Sequence, residues 1–153
     1  MKAHNSSRIS CRTVKQRDDV FIKYGDRQGA LTIGYGAKPA LHFGPELMVG
    51  NVLADAIASS QEPIVLVKTA WGGKDLAIDF RPPESGEGDF DGVPPSFYGH
   101  CYRDMVEGVA AGIESLPDLL PHYNATLGHE LSGFVWFQGW NDVIDGKKVD
   151  QYA

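Results

Sequence analysis

Ile64-Val65-Leu66-Val67 is a continuous apolar run that ends in Lys68-Thr69-Ala70. A strand with one wetted face alternates apolar and polar residues. A strand apolar on both faces has to be covered on both, which is the situation of a central parallel strand between helices. A second such run, Gly133-Phe134-Val135-Trp136-Phe137, is predicted as the last strand. Between them Phe97 to Leu116 reads as a helix with Cys101, Met105, Val109, Gly112, Ile113 and Leu116 on one stripe, stopped by Pro117 and Pro121. Strand, helix and strand with long connections form the βαβ unit. The expectation is an α/β protein with a parallel sheet.

The remaining segments fit around that unit. Val20 to Tyr24 and Ala30 to Ile33 predict a hairpin across a five-residue loop, Gly25 to Gly29. Gly44-Pro45-Glu46 opens a predicted helix to about Ser59, since proline suits a first helical turn. Its apolar face is predicted from Leu47, Met48, Val52, Leu53, Ala56 and Ile57. Trp71 to Ser96 is loop, longer than the ~15 residues usual for a connection without structure, so it is read as functional. Its glycines and prolines belong to a chain-wide excess, 18 Gly and 9 Pro in 153 residues. Residues 1–16 form an irregular N-terminal segment, and 17–153 form one domain.

Several function classes are excluded. Fourteen basic against 20 acidic residues leave a net charge of −6, which argues against a nucleic-acid backbone binder. No apolar run is long enough to span a membrane, and the first residues lack the apolar core of a secretory signal. Localisation therefore stays open. Cys11 and Cys101 make neither a disulfide framework nor a metal cluster, the five histidines are scattered, and no cofactor or metal is expected. Gly73-Lys74 lacks the upstream glycine and the hydroxyl residue of a phosphate loop. No serine sits in a Gly-x-Ser-x-Gly elbow. His100 and His122 read as surface or structural residues.

In open α/β sheets ligands bind beyond the carboxyl ends of the strands. Two segments occupy that position, Lys68 to Leu76 and Trp136 to Asp142. Glycine pairs let backbone N–H groups face a ligand, and Gln138 and Asn141 add amide donors. Convergent neutral donors are what an oxyanion hole requires. Each signal has a plainer reading: Gly72-Gly73 as a tight turn, Asn141-Asp142 as a turn or cap, the tryptophans as packing. Their joint placement at two strand ends favours the site.

Gly44-Pro45-Glu46-Leu47, Val67-Lys68-Thr69-Ala70-Trp71-Gly72-Gly73-Lys74 and Gly133 to Asp142 together resemble the sialate O-acetylesterase-like branch of the SGNH hydrolases. The likeness runs in segment order from Arg17 to Tyr152 and is most specific in the last block. Gly139-x-Asn141-Asp142 is similar to the third block of the superfamily. Trp136-x-Gln138-Gly139 with Asp142 is similar to the branch's own Trp-x-Gln-Gly-Glu-x-Asp, with Trp140 in place of the glutamate.

The resemblance implies a three-layer flavodoxin-like fold, incomplete at both ends, and serine ester hydrolysis of acetylated sugars. By the same likeness Gly72 or Gly73 is the backbone donor of the oxyanion hole. Asn141 or Gln138 is its side-chain donor, and Asp142 braces the loop. Trp71, Lys74 and Trp140 are the substrate-binding candidates. The partner is an acetylated carbohydrate, with neither nucleic acid nor membrane. The family's Gly-Asp-Ser or Gly-Gln-Ser block and its Asp-x-x-His block are not found, and Ser6, Ser7 and Ser10 lack the flanking glycine. No nucleophile serine or base histidine is identified, so no esterase turnover is expected of this chain alone. The alternative is a non-catalytic carbohydrate-binding or interaction remnant.

Overall fold

A computed structural model describes residues 16–38, 42–57 and 62–152. The segment 1–15 and the expected end of the first helix at Ser59 lie outside the described residues. The chain is mixed α/β. A hairpin joins strand β1 (Val20–Tyr24) to β2 (Arg27–Ala30), and β3 (Ile64–Lys68) lies parallel to β1. The order is β2-β1-β3. The sheet is therefore mixed rather than wholly parallel, because the hairpin belongs to the same sheet as the βαβ strand. Its turn holds only Gly25 and Asp26, not five residues, because pairing runs to the last position, Tyr24 opposite Arg27. Gly25 takes a left-handed φ of 56° there.

Helix α1 (Pro45–Ile57) covers one face of the sheet. Glu46 ties its first turn down, accepting from Gly44 N at 2.8 Å and pairing with Lys68 Nζ at 3.0 Å. Lys68 also donates to Tyr35 O at 2.7 Å and lies over the Tyr24 ring. The helix buries Leu47, Gly50 and Ala54 rather than the broad stripe expected, and Met48, Val52 and Ile57 are exposed. A sheet of three strands is too narrow to cover that stripe, and the helix approaches on its smallest residues. An added Cβ at Gly50 would lie 2.2 Å from Leu31 Cδ2 and 3.0 Å from Leu66 Cδ1. Gly50→Ala is therefore expected to destabilise by about 1–3 kcal/mol, although alanine is the better helix former. A urea unfolding series reads it, and an unchanged or higher midpoint would contradict the close approach.

Helix α2 (His100–Glu114) covers the opposite face, with Gly112 against Val67 and Gly108 against Thr69. Its expected stripe does face inward: Cys101, Gly112 and Leu116 are buried, and Met105, Val109 and Ile113 half-buried. The helix ends at Glu114, ahead of Pro117 as expected, and Pro117 then sits in the first turn of a separate short helix, α3 (Leu116–Leu119), which stops ahead of Pro121. Two more single-turn helices follow, α4 (Trp140–Val143) and α5 (Gly146–Val149). The core under α1 is Val20, Ile22, Leu31, Tyr35, Leu47 and Ala54.

The expected strand Gly133 to Phe137 does not form. The segment is irregular, pairs with no strand, and exposes Phe134, Val135 and Phe137, the last at 87%. Leu127, Leu131, Trp140 and Ile144 are exposed as well, so the stretch 127–144 displays much apolar surface. Surfaces of this kind associate. Sedimentation velocity is expected to give a coefficient that rises with protein concentration, and a constant monomer value would contradict this.

Candidate functional site

Two loops that leave the sheet and α3 far apart in sequence meet around Asp142. This carboxylate is 1% exposed, yet among the described residues no lysine or arginine makes an ion pair with it. It accepts from Leu76 N at 2.9 Å, Ala77 N at 3.2 Å and the Gln138 amide. A buried carboxylate needs such donors to offset its lost hydration. Gln138 Nε2 also donates to Lys74 O at 3.2 Å, so one amide bridges both loops. Phe80, buried, adds an apolar bridge: its ring centroid lies 5.8 Å from Trp71 and 5.2 Å from Trp136. Such aromatic pairs contribute about 0.5–1.5 kcal/mol each beyond their area.

The loop after β3 is itself built on two buried aspartates. Asp75 accepts from Ile78 N at 2.7 Å, and Asp79 accepts from Asp75 N at 3.0 Å, closing a tight reciprocal turn. Lys148 from α5 pairs with Asp75 at 2.7 Å, and Lys74 with Asp79 at 2.9 Å. Asp75 accordingly holds the Lys148 ammonium above its usual pKa, and Asp79 does the same for Lys74. In the other loop, Gly139 at φ 146° turns the chain into α4, a conformation that disfavours any side chain. Tyr152 donates to Gln138 O at 3.0 Å and packs beside Gly139.

Between the loops is an open cleft of about 420 Å³. Trp71, Gly73, Lys74, Gln138, Trp140 and Asn141 line it together with Trp136 and Phe137. Of the two glycines, Gly73 lies at the cleft and Gly72 outside its lining. Gly73 has φ 74°, and a Cβ built on it would stand 3.8 Å from Asn141 Nδ2. The two amide candidates differ in what they have free. Gln138 Nε2 is held by Asp142 and Lys74, whereas Asn141 makes no side-chain hydrogen bond among the described residues. Comparison of the chain with protein-family models, curated proteins and solved structures finds no match.

Of the residues expected from the sequence, all but Gly72 line the cleft or, as Asp142, brace its loops, whereas the supports Asp75, Asp79 and Lys148 were missed. Asp75 carried a readable signal, an aspartate three and four residues ahead of the N–H groups it caps, those of Ile78 and Asp79, while Asp79 reaches back to the N–H of Asp75. Lys148 carried none. His100, read as isolated, lies 3.3 Å from Lys74 Nζ and 3.4 Å from Asp79 Oδ1. Among the described residues, no helix is long and apolar enough to cross a membrane.

Proposed function

We propose that the cleft is the oxyanion side of an SGNH-type carbohydrate O-acetylesterase site, in a domain of the three-layer flavodoxin-like kind. In this reading an acetylated sugar binds with its ester carbonyl oxygen between the Gly73 N–H and Asn141 Nδ2. Trp71, Trp136 and Trp140 offer apolar faces to the sugar's C–H surfaces, and Lys74 offers a cation at the rim. Asp142 takes no proton in the chemistry. Its part is to hold the two donors at a fixed separation, which is what makes an oxyanion hole preorganised. The observation that carries the reading is the bridge from Asp142 to Leu76 and Ala77, because it brings both expected donor loops to one cleft.

Among the described residues, the cleft lining contains no serine, cysteine or histidine. Binding without turnover is therefore the expected behaviour of this chain, which makes the non-catalytic, carbohydrate-binding form of the same site the working version. Titration of the intrinsic tryptophan fluorescence with acetylated xylo-oligosaccharides tests it, since three tryptophans line the cleft. A saturable change supports the reading, and no change at millimolar ligand sinks it. In parallel, aryl acetate hydrolysis is expected to stay at the uncatalysed rate. Turnover that survives repurification would show that a nucleophile has been overlooked.

A further inference from the structure

We propose that Asp79, His100 and Cys101 form a transition-metal site, of zinc type by its donors, in which Lys74 is a competing internal cation. The three donor atoms lie within 4.8 Å of one another. His100 Nε2 stands 3.4 Å from Asp79 Oδ1 and 3.3 Å from Cys101 Sγ. Around a tetrahedral zinc with ordinary bond lengths, a nitrogen and an oxygen ligand stand about 3.3 Å apart, and a nitrogen and a sulfur about 3.5 Å. The two measured edges match within a few tenths of an ångström.

The tautomer is also set for a metal. His100 Nδ1 is 2.9 Å from the Phe97 carbonyl oxygen, which can only accept, so Nδ1 carries the hydrogen. In the neutral ring Nε2 then presents its lone pair to the cluster. A histidine ligand oriented through its other nitrogen by a backbone carbonyl is the usual second shell of such sites. Asp79 and Cys101 are both buried, and Asp79 is fixed by its bond from Asp75 N. Nε2 and a carboxylate oxygen facing each other at 3.4 Å are two acceptors, which calls for a cation between or beside them. Lys74 Nζ supplies it, at 2.9 Å from Asp79 Oδ1 and 3.3 Å from Nε2. Its stem lines the open cleft, so the ammonium can swing into solvent and leave the three donors to a metal.

A thiolate, a neutral imidazole and a carboxylate together suit a divalent ion of borderline softness, with water in the fourth position. Binding forms the metal–sulfur bond as the Cys101 S–H proton leaves to solvent, one proton for each metal ion. The inference is independent of the carbohydrate reading, since no sugar enters it.

The test is titration of the chelator-treated full chain with Co2+ alone, followed by its thiolate-to-cobalt charge-transfer band in the near ultraviolet. One equivalent is expected to saturate the band. Cys101→Ser should abolish it, and His100→Gln should weaken affinity by about 10–100-fold. Lys74→Met should tighten affinity, because no internal cation then competes. Absence of the band in both wild type and Lys74→Met overturns the proposal. So does a band that survives Cys101→Ser and is lost in Cys11→Ser, since the metal then sits elsewhere. Where Cys101→Ser does not fold by circular dichroism, the His100→Gln affinity decides, and an unchanged value overturns the site.

Discussion

Asp142→Ala is expected to lower the unfolding free energy by about 4 kcal/mol and to undo the cleft. The side chain removed is a buried carboxylate with three donors on it, Leu76 N, Ala77 N and the Gln138 amide. Alanine leaves those donors in place without acceptors, and each buried orphan costs about 1–3 kcal/mol. Part of the penalty is recovered if water enters, which keeps the total below the simple sum. Asp142→Asn keeps one acceptor oxygen but turns an N–H pair toward the remaining donors, so it should cost about half as much. Urea unfolding measures both, and Trp71 and Trp136 should report the opened cleft by a red-shifted emission. A cost under about 1 kcal/mol for alanine would mean that Asp142 does not bridge the loops.

The other large effect belongs to the sheet. Ile22 sits at the centre of β1, fully buried between β2 and β3, and packs in the cluster under α1. Ile22→Ala is expected to cost about 3–4 kcal/mol, and Ile22→Val about 1 kcal/mol, as usual for core truncations that leave a cavity. Thermal and urea melts read these directly. A loss below about 1 kcal/mol for alanine would place Ile22 outside the core. The two substitutions also differ in where they act. Ile22→Ala should lower stability while leaving the native cleft fluorescence unchanged, whereas Asp142→Ala should change both.

The parts of the fold that were legible in the sequence are those set by local pattern. Val20 to Tyr24, Ile64 to Val67 and the inward stripe of α2 each carry a period or an unbroken apolar run. Gly133 to Phe137 carries the same apolar run and yet forms no strand. A strand also has to be brought alongside a sheet edge in register, and although β2 and β3 are both edge strands among the described residues, the segment pairs with neither. That is a non-local condition which composition does not reveal. The α1 face was misjudged for a related reason. Helical spacing identifies apolar residues on one side, while the width of the sheet beneath decides how many of them are covered. Gly50 and Ala54, weak as hydrophobic signals, are what the sheet receives.

The cleft was legible because its residues cluster in two short segments, 71–74 and 138–142, although only the first of them follows a strand. Which glycine and which amide face it was not legible. That depends on Gln138 being held both by Asp142, four residues on, and by the Lys74 carbonyl more than sixty residues back, while Asn141 makes no side-chain hydrogen bond among the described residues. Asp79, His100 and Cys101 escaped for the same reason. They come from a turn and from the first residues of α2, with a spacing that matches no ligand motif.

The measurement that bears most directly on the central claim is calorimetry of one xylo-oligosaccharide in acetylated and fully deacetylated form. If Gly73 and Asn141 receive the ester carbonyl, the acetylated ligand should bind about tenfold more tightly, the value of one well-placed hydrogen bond. Asn141→Ala should erase that preference while leaving the affinity for the bare sugar unchanged. Equal binding of the two forms, or a preference that survives Asn141→Ala, would contradict the account.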